Sequence, residues 1–355
     1  MYSESDIDGA VAAGAISRDA ATALRDHIAR SQSAPAVDEE HFRLLTGFND
    51  IFVSIAAAAV LVGMAWLGES ITLPLGGLLV AATSWGLAEY FTRTRRMALP
   101  SILLLLAFVG GVGAAQVGLV VINGDAIQAW GKAHFPDHPE PVIGTLAAII
   151  GTVTAAAAWL HWRRFMVPIT VAAGAVAVVG VVLAMVVGYI PNAQDFIYAP
   201  ILIAGLLMFA FAMTWDASDR ERRTRRSDVA FWLHLAAAPM IAHALFQLLG
   251  VFDAPIGVGM AVVVIALYVA FAFVALAVDR RALLVSSLAY VLYAMYSLFQ
   301  NAGAVELAWA FTALVIGSAL LLLSAFWQTT RARIVRLLGG LADRLPPVGT
   351  VVASA

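Results

Sequence analysis

Ten stretches of about 20 apolar residues follow one another along this chain, and its arginines fall only in every second gap between them. The stretches cover approximately residues 51–68, 71–91, 100–122, 142–161, 167–188, 197–215, 229–250, 256–278, 282–299 and 304–327. A bilayer core roughly 30 Å thick is crossed by about 20 apolar residues in helix. The stretches are rich in Ala, Val and Leu with interior Gly, which reads as helix and not as the alternating pattern of an outer-membrane barrel. Arg18, Arg25, Arg30 and Arg43 precede the first stretch, and Arg93, Arg95 and Arg96 follow the second. Arg163 and Arg164 follow the fourth, a five-arginine run at 220–226 follows the sixth, and Arg280 and Arg281 follow the eighth. Arg331, Arg333, Arg336 and Arg344 follow the tenth, and Lys132, the single lysine, lies in one of the other gaps. Basic residues accumulate in cytoplasmic loops. The rhythm therefore predicts an all-α, polytopic transmembrane helical bundle of about ten spans in a bacterial inner membrane, with both termini cytoplasmic.

Composition agrees. Of 355 residues 62% are hydrophobic and 12% charged, against roughly 45–50% and 25% in a soluble domain. That composition argues against a soluble enzyme and makes a polytopic membrane protein the default. The net charge of −2 supplies no basic field for nucleic acid. With no cysteine, there is no disulfide, thiolate metal site or thiol catalysis. The outer gaps carry Glu69, Asp125, Asp137, Glu140, Asp195, Asp253 and Glu306, so charge sums to about −6 outside and about +4 inside. Attraction to anionic inner-leaflet lipid accounts for this, with a cation-binding outer face as the alternative.

Three regions are expected: a hairpin and linker at 1–45, a ten-span domain at 46–328, and a C-terminal amphipathic segment and tail at 329–355. The start MYSESDIDGA lacks the basic and apolar pattern of a cleaved signal, so the first span is expected to insert as mature protein. Ile7 and Val11 share a helical face, and Gly14 can end that helix at C′. Ser17 then fits an N-cap with Asp19 in the first turn, and Leu24 and Ile28 supply an apolar stripe. A hairpin of roughly 30 residues is too small for its own core. Residues 1–30 are expected to dock on the membrane domain, on a second copy or on a cytosolic partner. A Ser/Pro/Ala linker follows near 31–37.

The order GAISRDAATAL (14–24), a short linker and HFRLLTGFNDIF (41–52) ahead of a series of spans resembles a bacterial membrane-protein family, catalogued as domain of unknown function 2157. The resemblance covers roughly the first 100 residues. It implies an uncharacterised inner-membrane protein with an N-terminal helical hairpin, and it hands over no functional residue.

Three further segments carry candidate chemistry, and two carry a packing signal. HFPDHPEP holds His134, Asp137, His138 and Glu140, a set able to bind Zn²⁺ or Cu²⁺, but Pro136 and Pro139 break the helix that would align the histidines; a solvated turn is the other reading. DRERRTRRSD (219–228) reads as a solvated cytoplasmic loop near anionic headgroups. Over 329–345, Ile334, Leu338, Leu341 and Leu345 form one face bordered by Arg333, Arg336 and Arg344. That suits a helix lying in the inner membrane interface, or one docking a partner. Gly110, Ala114 and Gly118, and likewise Gly180, Ala184 and Gly188, make small-residue stripes for close helix approach.

Ionisable groups within spans are functional candidates. Glu89 can pair with Arg93, one turn on. Asp50 can cap the first span or approach Arg43, and Gln116 needs an interhelical partner. The seventh span carries His234, Pro239, His243 and Gln247. His234 and His243 are nine residues apart and face opposite ways in a straight helix. His243 and Gln247 share a face beside Pro239, whose missing N–H frees the Leu235 carbonyl. These two form a candidate polar centre for a substrate or proton, the alternative being a histidine satisfied by a neighbouring helix. Tyr290, Tyr293 and Tyr296 form a broad aromatic face that serves packing or lines a ligand cavity.

The chain has no Walker A, HExxH, GxSxG or Rossmann pattern. No catalytic residue, cofactor or metal is expected. The leading reading is a non-enzymatic inner-membrane protein with a docking hairpin. The second is a secondary transporter of a small organic solute. Ten short spans resemble the drug/metabolite transporter superfamily, which implies two inverted five-span halves. Against this, the halves show no similarity, and the outer loop after span three has no counterpart after span eight. A membrane enzyme comes last.

Overall fold

The computed structural model describes residues 4–31, 48–220, 222, 224–251, 257–301 and 306–348. The chain divides into two units, residues 1–42 with 349–355, and residues 43–348.

The first unit contains α1 (Glu4–Ala12) and α2 (Arg18–Ser31). Gly14 ends α1 at φ +71°, and Ala15 N donates to Ala10 O at 2.8 Å while Gly14 N donates to Val11 O at 3.1 Å. This is the Schellman closure that needs a residue free to adopt positive φ. Ser17 caps α2, its Oγ accepting from Ala20 N at 3.1 Å, with Asp19 in the first turn. Ala21 is fully buried, whereas Leu24 of the expected stripe is exposed. The Ile28 side chain, the linker at 32–37 and Arg43 lie outside the described residues.

The second unit runs α3 (Phe48–Glu69), α4 (Leu73–Ala88), α5 (Ala98–Ile122), α6 (Gly124–His134), α7 (Glu140–Phe165), α8 (Ile169–Tyr189) and α9 (Tyr198–Ser218). It continues with α10 (Arg225–Leu248), α11 (Val258–Val278), α12 (Ala282–Asn301), α13 (Ala308–Ala325) and α14 (Trp327–Leu337). Among the described residues, nine helices are long and apolar enough to cross a bilayer: α3, α5 and α7 to α13. The expected second span differs. α4 has 16 α-helical residues and then passes into a π-helical turn, Glu89–Thr94. There the chain loosens by one residue per turn, and Arg95 N reaches back to Tyr90 O at 2.9 Å.

Small residues set the closest helix contacts, Gly118, Ala184 and Gly188 among them as expected, while at the other two positions of the α5 stripe the contact is one residue further on. A Cβ built on Gly77 of α4 would lie 2.3 Å from Ala115 N of α5. One built on Gly118 would lie 2.7 Å from Pro74 N. The buried stripe of α5 is thus Gly111, Ala115 and Gly118; Gly110 borders open space and Ala114 is exposed. In α7 and α8, Gly144 and Gly188 meet backbone to backbone, while Gly180 touches nothing within 4 Å.

α10 is the central helix, with 56% of its apolar window buried against 17% in α3, α7, α8, α9 and α13. It continues as one helix through Pro239. Leu233, Ala237, Ile241 and Phe246 face the main core with Met208 and Ala212 of α9 and Ala261 and Val264 of α11.

The C-terminal segment, expected as an amphipathic helix, packs its apolar side on the bundle. α14 stops at Leu337, Gly339 turns at φ +54°, and a 3-10 turn, Gly339–Arg344, follows. Ile334, Leu338 and Leu345 do share an apolar side, but it packs on protein: Ala275, Leu276, Leu283 and Leu284 at the α11–α12 corner. The Leu341 side chain lies outside the described residues. Residues up to 348 belong to the bundle unit. The reason is Arg331, fully buried in the middle of that side. A guanidinium there requires fixed acceptors, which the folded chain provides.

Candidate functional site

The densest polar cluster lies at the arginine-bearing end of α9 to α12 and α14. Asp216 sits in the last turns of α9 and is 2% exposed. Its Oδ2 pairs with His234 Nε2 of α10 at 2.8 Å, and its Oδ1 accepts from Arg280 Nη2 at 2.5 Å. Arg280 Nε also donates to Oδ2 at 3.3 Å, and Nη2 to Ser227 O at 3.0 Å. His234 and Arg280 are 0% and 2% exposed. With a hydrogen on His234 Nε2 the pair is satisfied. Its Nδ1 has no hydrogen-bond partner among the described residues, and the ring packs edge-on to Phe209 at 4.9 Å.

A second carboxylate extends the cluster. Asp279 ends α11 in the left-handed region at φ 59°, and this turn brings Arg280 toward Asp216. Asp279 Oδ2 accepts from Arg222 Nη1 at 3.0 Å, and Oδ1 from Trp327 Nε1 at 2.7 Å. Arg331 Nε lies 3.6 Å from Oδ1. Its two Nη groups donate to the carbonyls of Pro346 at 2.6 Å and Pro347 at 3.1 Å. Arg220 donates through Nε and Nη2 to Leu345 O at 3.0 and 2.9 Å. The run 219–228 is therefore only partly the solvated loop expected: Arg222 is half-buried, while Arg220, bonded to Leu345 O, stays exposed like Arg225 and Arg226. Hydrogen bonds to fixed carbonyls and carboxylates offset the buried arginines' loss of water.

His243 and Tyr290 meet, His243 Nδ1 lying 2.7 Å from Tyr290 Oη. Tyr290 stacks on Phe246 at 4.1 Å, and Tyr198 lies edge-on to His243 at 5.8 Å. His243 is exposed on the bundle surface and Gln247 is half-buried. His234 belongs to the separate Asp216 cluster, as the opposed faces required. The tyrosine face divides: Tyr293 is exposed, while Tyr296 stacks on Trp309 at 4.3 Å and accepts from Gln300 at 2.5 Å.

Glu89 pairs with Arg93 at 3.2 Å and also with Arg164 of α7 at 2.7 Å. Gln116 donates to Val112 O of its own helix at 3.2 Å, with Thr154 Oγ1 and Ile150 O of α7 at 3.4 and 3.5 Å. His134 stacks on Trp130 at 4.6 Å, and His138 lies 3.9 Å from Glu140. Among the described residues, no three His, Asp or Glu converge as metal ligands. Asp50 is 2% exposed at the start of α3.

Sequence reasoning passed over Asp216, Asp279, Arg280 and Arg331 as loop charges. It also passed over His161, fully buried among Trp85, Phe108 and Phe165 with Nδ1 3.4 Å from Thr170 Oγ1. The available signal was a histidine in the last turns of an otherwise apolar helix.

Two grooves lie at opposite ends of α7. One, of about 480 Å³, is bordered by Ile127, Trp130, Val142 and Tyr189. The other, of about 580 Å³, runs between α7, α9 and the start of α10. Comparison with protein-family models, curated proteins and solved structures found no match to this chain.

Proposed function

We propose that the chain is a non-enzymatic, multi-pass inner-membrane protein of ten crossing helices with both termini cytoplasmic. We further propose that residues 1–30 dock a cytosolic partner or a second copy. The observation that carries the reading is the Asp216–Arg280–Asp279 cluster. Its charges are spent on one another and on backbone carbonyls, joining α9, α10, α11, α14 and the 345–347 tail. That is the work of a scaffold. Counting α4 with its π turn, residues 73–94, as the tenth crossing gives a helical length of about 30 Å, matching the bilayer core. The resemblance of residues 14–52 to the domain of unknown function 2157 set is in keeping with this reading.

The chain has no cysteine, so single cysteines report topology directly. In intact cells, a membrane-impermeant maleimide is expected to label Ser70→Cys and Lys132→Cys but not Arg95→Cys or Arg333→Cys. The opposite or a mixed pattern overturns the orientation. Deleting residues 2–30 is expected to shrink the cross-linked complex in native membranes while the bundle stays folded; an unchanged complex rules out the docking role.

The second reading, a secondary transporter, is favoured by the His243–Tyr290 hydrogen bond in the apolar part of α10 and α12. It requires proton-linked uptake that His243→Ala abolishes.

A further inference from the structure

The groove between α7, α9 and α10 has a direction. On α9 it is bordered by Phe211, Thr214, Trp215 and Ser218. These spacings of 3, 1 and 3 keep all four on one helical face, over about 10 Å of axis. Trp162 of α7 borders it from the other side. At its mouth stand Arg225 and Arg226, the first two residues of α10, both exposed. The groove is thus cationic at the helix ends and becomes aromatic and apolar toward the middle of the spans. The hydroxyls of Thr214 and Ser218 donate to carbonyls of their own helix, Phe211 O and Trp215 O, both at 2.7 Å. That leaves the guanidinium groups as the charged donors at the mouth.

This gradient matches one class of molecule. A soluble anion has no use for the aromatic floor, and a neutral hydrophobe has no use for two arginines. A phospholipid needs both, arranged as the bilayer itself is arranged. Guanidinium suits phosphate because its planar fork offers paired donors. Tryptophan suits the boundary because its ring is amphipathic. A volume of about 580 Å³ lies within the range of ligand sites. The nearby Arg164 is occupied by Glu89, so the charge at this mouth is supplied by α10.

We propose that this groove holds one anionic glycerophospholipid, its phosphate at Arg225 and Arg226 and an acyl chain along Trp162, Trp215 and Phe211. The site rests on the membrane reading above, but not on which way the bundle faces.

The test uses the full-length protein purified in detergent, with lipid retention read by native mass spectrometry. Phosphatidylglycerol is expected to bind as a single tight equivalent. Phosphatidylethanolamine is expected to bind more weakly, and inorganic phosphate not to compete at millimolar concentration. Arg225→Gln with Arg226→Gln is expected to weaken phosphatidylglycerol about 30-fold, on the scale of two headgroup-level arginines. Arg333→Gln, elsewhere on the same end, is expected to change nothing. Competition by inorganic phosphate would make this a phosphate site and overturn the lipid assignment. An equal loss in Arg333→Gln would mean diffuse attraction with no site. Should the double variant fail to fold, a photoactivatable phosphatidylglycerol on the wild-type protein decides: cross-links at 211–218 support the proposal and their absence refutes it. Tight binding combined with maleimide labelling of Arg95→Cys from outside would keep the site and reverse only the orientation.

Discussion

Asp216→Ala tests whether the buried cluster has the energetic character its geometry implies. The carboxylate accepts from His234 at 2.8 Å and from Arg280 at 2.5 and 3.3 Å. Deleting it leaves His234 Nε2 facing a void and Arg280, 2% exposed, keeping the Ser227 carbonyl but losing its countercharge. Removing one member of a buried pair costs about 3–5 kcal/mol, because the other charge remains in a low-dielectric site. Most of that cost belongs to the stranded arginine, so Asp216→Ala combined with Arg280→Ala should cost clearly less than the two single changes added together. A coupling of about 2–3 kcal/mol is expected, at the upper end for residues in direct contact. The nine tryptophans give a fluorescence signal for denaturant unfolding in detergent micelles, from which the four-protein cycle is read. A coupling below about 0.5 kcal/mol is the range of solvent-exposed ion pairs. That result would mean that water reaches Asp216 and Arg280 and that the pair does not hold the helix ends together.

Three smaller predictions use the same titration. Gly77→Val drives a side chain into the Ala115 backbone, 2.3 Å from the built Cβ, and should cost at least about 3 kcal/mol, whereas Gly110→Ala, with nothing within 4 Å, should be neutral or slightly stabilising. Trp327→Phe keeps the ring but removes the Nε1 donor to Asp279, leaving a buried acceptor short of one bond at about 1–3 kcal/mol; an unchanged midpoint would place water at Asp279. Gln116→Leu should cost no more than about 1 kcal/mol, since its closest contact is within its own helix and its α7 contacts are long.

Features that depend on local chain chemistry were legible in the sequence. Gly14 and Ser17 mark the hairpin because a left-handed C′ and a side-chain N-cap each select their residue types. The apolar spans were legible because their length is dictated by the bilayer. The register of the α5 stripe was not. Residues 110, 111 and 113–115 are all Gly or Ala, so nearly every face of that turn permits close approach. The choice is made by Gly77 on a different helix, and moving the stripe by one residue rotates it by about 100°. The pairing of His243 with Tyr290 was equally beyond reach. Shared helical faces identify residues that can meet within one helix, and this bond joins two.

The arginines show the same limit from the other side. As a count, they order the chain into alternating ends with no knowledge of structure. As side chains, they do different work: Arg225 and Arg226 are exposed, while Arg222, Arg280 and Arg331 turn inward. Insertion acts on charge and is indifferent to where a guanidinium finally points. Folding is not, because each inward arginine requires acceptors fixed in place. In this bundle they come from two carboxylates at helix ends and from carbonyls at Ser227, Val278, Asp279, Pro346 and Pro347. The two prolines matter in this because a proline stops the helix and biases the residue before it toward extended backbone, leaving carbonyls that no helical N–H claims. A run that looks like a mere helix stop thereby supplies the acceptors for a buried charge. The buried arginines thus hold together the helix ends at which they stand.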